Sequence, residues 1–426
     1  MIDLRALEQD LLEHPDLRDL APHEQLEILK ERAKHIVGGE RLLKYLERVH
    51  KAGRGLRAKV GFDATGRDLH LGHMVQLVTI RKLQKMGHEV TLVVGDFTAL
   101  IGDPAGRIAE RLVLTEQQVE KNLTTYEAQA GRIIDLKRVA IRRNSEWLAK
   151  LPLREFFKMI RGLTVASAMQ REDFRKRASV TRLELLYASL TGIDSIELKT
   201  ELEFGGDDQL LNFYDAARVM EINGLEPEAA LTSEIIVGTS GQGLKMSKSL
   251  NNYIALEAKP EEMFGQIMSI PDLLLEQYFK LLTDIREAQW RTLARSLKSG
   301  ELKPLHLKRT LARIIVADLN TVDQANKAEE FFNKSIVQKK PDIKKIRSIA
   351  ISLKKVKNWV GLVLVLKVPG ASSGSTVRRL FTQKGIHLHV GDTWKTISIN
   401  DPLPRSGETL LLRIGKRQYT QVKIAN

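Results

Sequence analysis

A chain of 426 residues without a single cysteine excludes disulfides and thiolate metal sites, and that length calls for two or three domains. The formal net charge of +14, on a well-mixed charged surface, favours a polyanionic partner, nucleic acid before membrane. No apolar run is long enough to span a bilayer, and Met1-Ile2-Asp3-Leu4-Arg5 lacks the basic-then-apolar order of a signal peptide, so a cytoplasmic protein with no membrane partner is expected.

From Asp3 to about Lys51, apolar residues such as Leu26, Leu29, Ala33 and Ile36 recur at helical spacing, with a break at Gly38-Gly39. These read as helices laid against a larger body. Val60 to Phe62 then has strand character and enters a polar turn, Asp63-Ala64-Thr65-Gly66-Arg67, before Leu69-His70-Leu71-Gly72-His73. A helical pattern runs from Met74 to Met86, Gly87 stops it, and Glu89 to Gly95 is a β-branched strand. Strand, helix and strand make a βαβ unit, for which a parallel sheet covered on both faces is the economical architecture. Ligands of such sheets lie beyond the strands' carboxyl ends, and a helix N-terminus there favours phosphate. His70 and His73 are placed at that point, although two histidines at this spacing are equally compatible with a plain helix surface.

The second strand runs into Ile101-Gly102-Asp103-Pro104-Ala105-Gly106-Arg107, followed by Glu110 and Arg111. Thr115 to about Asp173 reads as helices around a short strand, Arg138 to Arg142, with Asn144-Ser145-Glu146-Trp147 at its carboxyl end. Helix resumes from Arg182 to Leu190, and Glu203 to Gln209 reads as a loop whose paired glycines bring backbone close to a ligand. The loop from Gly238 to Ser249 is rich in glycine and small residues and carries Lys245 and Lys248, two cations suited to closing over phosphates. Pro260 to about Phe332 is helical throughout, and Lys334 to Lys357 is a strongly basic linker. The last segment has a helix bearing Arg378 and Arg379 and short β-patterned runs at Ile386 to Val390, Thr409 to Ile414 and Tyr419 to Ile424, a candidate phosphate-contact surface.

Leu69-His70-Leu71-Gly72-His73 resembles the HIGH signature, and Lys245-Met246-Ser247-Lys248-Ser249 matches KMSKS, the two signatures of class I aminoacyl-tRNA synthetases. Together with IGDPAG, NSEW, the paired glycines before Asp207-Asp208-Gln209 and an S4-like terminal domain, the chain from about Leu42 onward resembles bacterial-type tyrosyl-tRNA synthetases. Within that family it is most similar to the branch that has KMSKS and a lysine where Lys59 stands. The resemblance implies an α/β protein with a Rossmann-like parallel-sheet catalytic domain and helical insertion over 1–258, an all-helical domain over 259–333, a basic linker over 334–358 and an α+β S4-like RNA-binding domain over 359–426.

It further implies a tyrosine–tRNA ligase that joins tyrosine to ATP, with Mg²⁺ accompanying the nucleotide, and charges tRNA(Tyr) as a homodimer built through the insertion, roughly Thr115 to Lys176. His70, His73, Lys245, Lys248, Arg107 and Arg111 would stabilise the transferring phosphates, while Asp63, Thr65, Gly72 and Asp208 would belong to the ATP side. Lys59, Asp103, Asn144, Tyr187, Thr191, Asp194 and Gln209 would surround the amino acid, with Asp194 accepting the phenol hydroxyl. Arg378, Arg379 and Lys384 would face RNA, and no metal ligand set is implied in the protein itself. The chain departs from the family pattern at Thr191 and Ile193, where glutamine and tyrosine are usual, and at Lys384, which replaces the first of two glycines. A paralogue for another amino acid and a non-catalytic RNA-binding protein on the same scaffold are the competing readings.

Overall fold

The apolar runs between residues 35 and 233 pair into one sheet in the computed structural model of the chain. The structure describes residues 2–62, 68–101, 124–169, 174, 180–337, 346, 348–353, 356, 358–366, 368, 371, 373–390, 393–415 and 418–425. Two compact units are present, Met1–Ala328 and Glu329–Asn426.

The first unit holds β1 (His35–Val37), β2 (Arg57–Phe62), β3 (Glu89–Val94), β4 (Val139–Arg143), β5 (Leu202–Gly206) and β6 (Ala229–Ser233), in the spatial order β1-β6-β5-β2-β3-β4. All neighbours are parallel except the edge pair β1 and β6. Order reverses between β2 and β5, since β3 and β4 continue to one side and β6 to the other. The crevice beyond these two strands is therefore where a ligand is expected.

Four helices come first: α1 (Leu4–Glu13), α2 (Pro22–Arg32), α3 (Gly39–Lys51) and α4 (Leu71–Lys85). Helix α4 buries Leu71, Met74, Val75, Leu77, Val78 and Ile80. Its N-terminus stands beyond the carboxyl end of β2, the placement expected from the βαβ reading. The helices Arg182–Leu198 and Leu210–Ile222 pack so closely that a Cβ on Gly192 would lie 2.7 Å from Val219 Cβ, so only glycine fits there. Thr181 and Glu184 cap the first of them reciprocally. Further helices, Pro260–Met268, Leu275–Leu282, Glu287–Ser299 and Pro304–Leu319, pack on one another and on α1 and α4. Buried ion pairs join them to the N-terminal helices: Glu8 to Arg313, and His14 between Asp284 and Asp318, which also hold Lys82 and Arg81 of α4. Among the described residues no helix is long and apolar enough to cross a membrane.

In the second unit β7 (Ser348–Ser352), β8 (Ile386–Val390), β9 (Thr393–Thr396), β10 (Thr409–Ile414) and β11 (Gln418–Ala425) form a sheet in the order β7-β11-β10-β8-β9. The helices Trp359–Val365 and Gly374–Thr382 cover it, with Trp359, Leu362, Val363, Val377, Ile386, Leu412 and Val422 in the core.

Four segments differ from the sequence reading. Ile36 lies in β1 rather than a helix, because the open edge of β6 takes His35 to Val37 into the ladder. The helix read to Leu190 continues to Leu198, and Glu203 to Gly206 belongs to β5 rather than a loop. The stretch read as a basic linker supplies β7, which pairs in parallel with β11. Alternating Ile349 and Ile351 carry that strand, and the lysines around them mask the period.

Candidate active site

Two adjoining cavities open at the crevice between β2 and β5. The larger, about 590 Å³, is lined by Gly61, Phe62, His70, Gly72, His73, Gln76, Gly206, Asp208, Glu234 and the segment Lys245 to Ser249. The smaller, about 230 Å³, is lined by Asn144, Tyr187, Thr191, Asp194, Glu203, Gln209 and Asn212. Gly61, Phe62, Gln76, Gly206 and Asp208 line both. A Cβ at Gly61 would meet nothing within 4 Å, so the strand presents bare backbone to the shared space.

In the larger cavity the two histidines cap α4 with each other's help. His70 Nδ1 accepts from the Gly72 N–H at 3.1 Å, and His73 Nδ1 accepts from the His70 N–H at 3.1 Å. Burial first, then Lys248, pushes His70 down to about 4; burial, His70 and Lys248 push His73 down to about 3. Both rings are neutral at pH 7. With Nδ1 committed as acceptor in each, the hydrogen-bond network assigns the proton to Nε2, which is left as a donor. Gly72 is required by this arrangement, because a Cβ would come within 2.7 Å of the His70 ring.

The lysine loop is held through its backbone. Asn252 Oδ1 accepts from the Ser247 N–H at 2.8 Å, and its Nδ2 donates to the Lys245 carbonyl at 3.1 Å. Met246 is buried and its N–H donates to the Ile236 carbonyl. The chain just beyond, Ile254 to Leu256, hydrogen-bonds with Leu69 and Leu71, which ties together two motifs far apart in sequence. Lys245 also attracts the Asp208 carboxylate, whose pKa burial nevertheless raises.

The smaller cavity is organised by side chains. Asp194 is buried; its Oδ1 accepts from Trp147 Nε1 at 2.8 Å and its Oδ2 from Asn144 Nδ2 at 3.3 Å. Burial pushes Asp194 up to about 7, against the opposing pull of Lys59 and these two donors. The Asn144 amide is itself oriented by the Phe97 N–H and by Thr98 Oγ1. Thr191 uses its hydroxyl on the Ala188 carbonyl, and Gln209 accepts from Asn212. Asp207, by contrast, turns away to Lys34 and Thr232.

A nucleotide-sized cleft with neutral imidazole donors and two lysines, joined to a small pocket with a buried carboxylate, matches the architecture that the motifs imply. A family model for tRNA synthetases class I (W and Y) matches residues 51–336. The tyrosine–tRNA ligase of Thermotoga maritima is 38% identical over 407 residues, which cover 95% of this chain and 98% of that protein. The chain belongs to the tyrosine–tRNA ligase family. The family's Aquifex aeolicus member is 35% identical over 408 residues, 95% of this chain and 99% of that protein. Among solved structures, the tyrosyl-tRNA synthetase of Archaeoglobus fulgidus, complexed with L-tyrosine, superposes with a TM-score of 0.58 at 24% identity, covering 72% of this chain and 99% of its own. A truncated mitochondrial synthetase from Coccidioides posadasii gives 0.58 at 18% identity, over 77% and 98%. These two likenesses concern the fold.

Of the ligand-side residues expected from the sequence, His70, Gly72, His73, Lys245, Lys248 and Asp208 line the larger cavity, and Asn144, Tyr187, Thr191, Asp194 and Gln209 the smaller. Asp63, Thr65, Asp103, Arg107 and Arg111 lie outside the described residues. Lys59 lines neither cavity; it is buried beneath the smaller one, against Glu203 and the Thr191 carbonyl. Trp147, Gln76, Glu203 and Asn252 were missed as site residues. For Trp147 its place in NSEW at a strand's carboxyl end was a usable signal; for the others only the fold brings them to the site.

Proposed function

We propose how the residues of this site divide the work of tyrosine–tRNA ligation, the activity of the family to which the chain belongs. Tyrosine occupies the smaller cavity with its phenol toward Asp194, and ATP the larger one. The tyrosine carboxylate attacks the α-phosphorus of ATP in line, the bond to the β-phosphate oxygen breaks, and pyrophosphate leaves. A ribose hydroxyl of tRNA then attacks the acyl carbon of tyrosyl-adenylate, the bond to the phosphate oxygen breaks, and AMP leaves. Such a reaction needs positioning and charge rather than a covalent nucleophile.

His70 and His73 donate from Nε2 to the α-phosphate oxygens, while Lys245 and Lys248, with Arg107 and Arg111, draw charge onto the departing pyrophosphate. Asp208 holds the ribose at the junction of the cavities, with Asp63 and Thr65 from the segment before Leu69. Gln209, Tyr187 and Asp103 meet the amino-acid backbone end, and Asn144 fixes Asp194. Mg²⁺ arrives with the nucleotide: only Asp208 and Glu234 offer carboxylates among the residues lining the larger cavity, which suits an ion carried mainly by phosphates. The observation that carries the reading is the pair of cavities sharing Gly61, Gly206 and Asp208 at the point where strand order reverses.

Exposed Arg378 and Arg379 on the helix Gly374–Thr382, with exposed Lys384 after it, form the contact to tRNA(Tyr) backbone. Lys384 sits at φ 52°, the left-handed backbone for which the family uses glycine. Leu153, Phe157, Val165 and Leu183 leave an exposed apolar surface around the insertion, which supports homodimerisation there. The cytoplasm is the compartment where such an enzyme meets tRNA.

ATP–pyrophosphate exchange with each standard amino acid tests the reading. Exchange driven by tyrosine is expected; exchange driven by none refutes catalysis, and exchange driven by another amino acid identifies the paralogue that Thr191 raises. An Arg378→Ala/Arg379→Ala double variant is expected to retain exchange and to lose tRNA affinity with a shallower salt dependence.

A further inference from the structure

Two of the central strands each carry a buried charge at paired positions. Lys59 of β2 and Glu203 of β5 are register partners, and their side chains meet at 2.8 Å with both residues buried. A buried ion pair is no better for stability than an apolar pair of the same volume, so its presence in the middle of a sheet calls for another role. The pair is extended. Glu228, just before β6, lies 2.9 Å from Ser195 Oγ through its Oε1 and near enough to Glu203 for the two carboxylates to repel. Lys59 donates to the Thr191 carbonyl at 3.0 Å, and Ser195 Oγ, 3.1 Å from the same carbonyl, shares its one proton between that oxygen and Glu228.

Thr191 and Ser195 flank Asp194 on one helical turn. We propose that Lys59, Glu203 and Glu228 are positioning residues for amino-acid selection: they clamp the turn that carries Asp194 and balance its charge, Lys59 and Glu228 from beneath the pocket and Glu203 from its wall. This rests on the assignment of Asp194 to the phenol hydroxyl.

The balance is built from identifiable groups. Burial disfavours the Lys59 ammonium, but Glu203, Glu228 and Asp194 together outweigh it and raise its pKa. Burial and then the neighbouring Glu203 raise the Glu228 pKa well above its ordinary value, which favours its neutral form. Asp194 therefore faces one cation, Lys59 from β2, and one anion, Glu203 from β5. Trp147 and Asn144, from the segment after β4, add neutral donors. Tyr187 on its own helix and Asp208 across the cavity are the other titratable residues lining the pocket among those described. Removing Lys59 leaves Asp194 opposed only by an anion, and the ionised form, which accepts the phenol proton best, is lost.

The test is tyrosine-dependent pyrophosphate exchange across pH in wild type, Lys59→Met, Glu203→Gln and the double variant. Tyrosine kcat/KM of the wild type is expected to fall as pH drops through about 7. Lys59→Met is expected to move that inflection at least about one unit alkaline and to raise the neutral-pH KM for tyrosine about tenfold, with kcat nearly unchanged and the preference over phenylalanine reduced. Glu203→Gln, which leaves the cation, moves the inflection acid. The double variant, stripped of one charge of each sign, lies between and binds tyrosine better than Lys59→Met alone.

A wild-type inflection and tyrosine preference in Lys59→Met overturns the proposal, as does a double variant worse than both singles, which is the signature of packing alone. If Lys59→Met does not fold, an unmoved or alkaline inflection in Glu203→Gln does the same. Tyrosine-dependent exchange by the wild type is read separately, so the catalytic assignment stands or falls on its own.

Discussion

The two halves of the site are held in different ways. In the nucleotide cleft, functional side chains are fixed by backbone: imidazole Nδ1 atoms bond N–H groups within their own turn, and Asn252 grips the main chain of the lysine loop at two points. In the amino-acid pocket they are fixed by one another, through Trp147, Asn144, Asp194, Lys59, Glu203 and Glu228, drawn from separate segments between β2 and β6. In the proposed reaction the first arrangement leaves Lys245 and Lys248 able to follow charge as it moves from nucleotide to leaving pyrophosphate. The second makes a rigid selector, in which a buried polar group left unpaired by the wrong ligand costs free energy.

Lys248→Ala gives the largest break between the halves. It is expected to slow activation by about 10²- to 10³-fold while tyrosine KM changes less than about twofold, measured by steady-state pyrophosphate exchange. An effect confined to tyrosine KM would merge the two halves into one binding unit. Asp194→Asn is the mirror case: tyrosine KM rises about 10- to 100-fold, and the preference over phenylalanine falls with it. Binding by the wild type also weakens as pH falls through about 7, because the raised Asp194 carboxyl takes up a proton there.

Asn252→Ala removes both clamps on the lysine loop and is expected to cost about tenfold in kcat, with tyrosine affinity unchanged by equilibrium titration. The smallest effect lies outside both halves. His14→Ala breaks the hydrogen bonds to Asp284 and Asp318 and is expected to lower stability by about 2 kcal/mol in urea melts, with activation retained. Burial works against the His14 imidazolium, but the two carboxylates prevail and raise its pKa above 6.5. The stabilisation is therefore complete below the unfolded value and fades as pH rises through the folded one. A wild-type melting profile that is flat through that range would remove the charge from His14.

The same contrast explains what was legible beforehand. His70, Gly72, His73, Lys245 and Lys248 lie in short contiguous motifs, because a cap and a loop need only local chain to form. Asp208 and Gln209 were found next to paired glycines, although their segment is a 3₁₀ turn set directly on the end of a strand and not a free loop. Lys59 was counted among residues around the amino acid, yet it lies beneath the pocket, since its charge answers Glu203, 144 positions further along. β1 and β7 escaped for a related reason: each short strand is an edge recruited by a ladder already in place, β6 in one case and β11 in the other.

Sequence by itself determined the βαβ start, the helix N-terminus that carries His70 and His73, the lysine loop and an arginine-bearing terminal helix, all of which rest on local periodicity, glycine placement and charge. Tertiary structure alone decided that the two motifs hydrogen-bond to each other, that two cavities share one floor at β2 and β5, and which buried charges answer Asp194. Those relations are set by strand order and close packing, and such contacts leave no period in the chain.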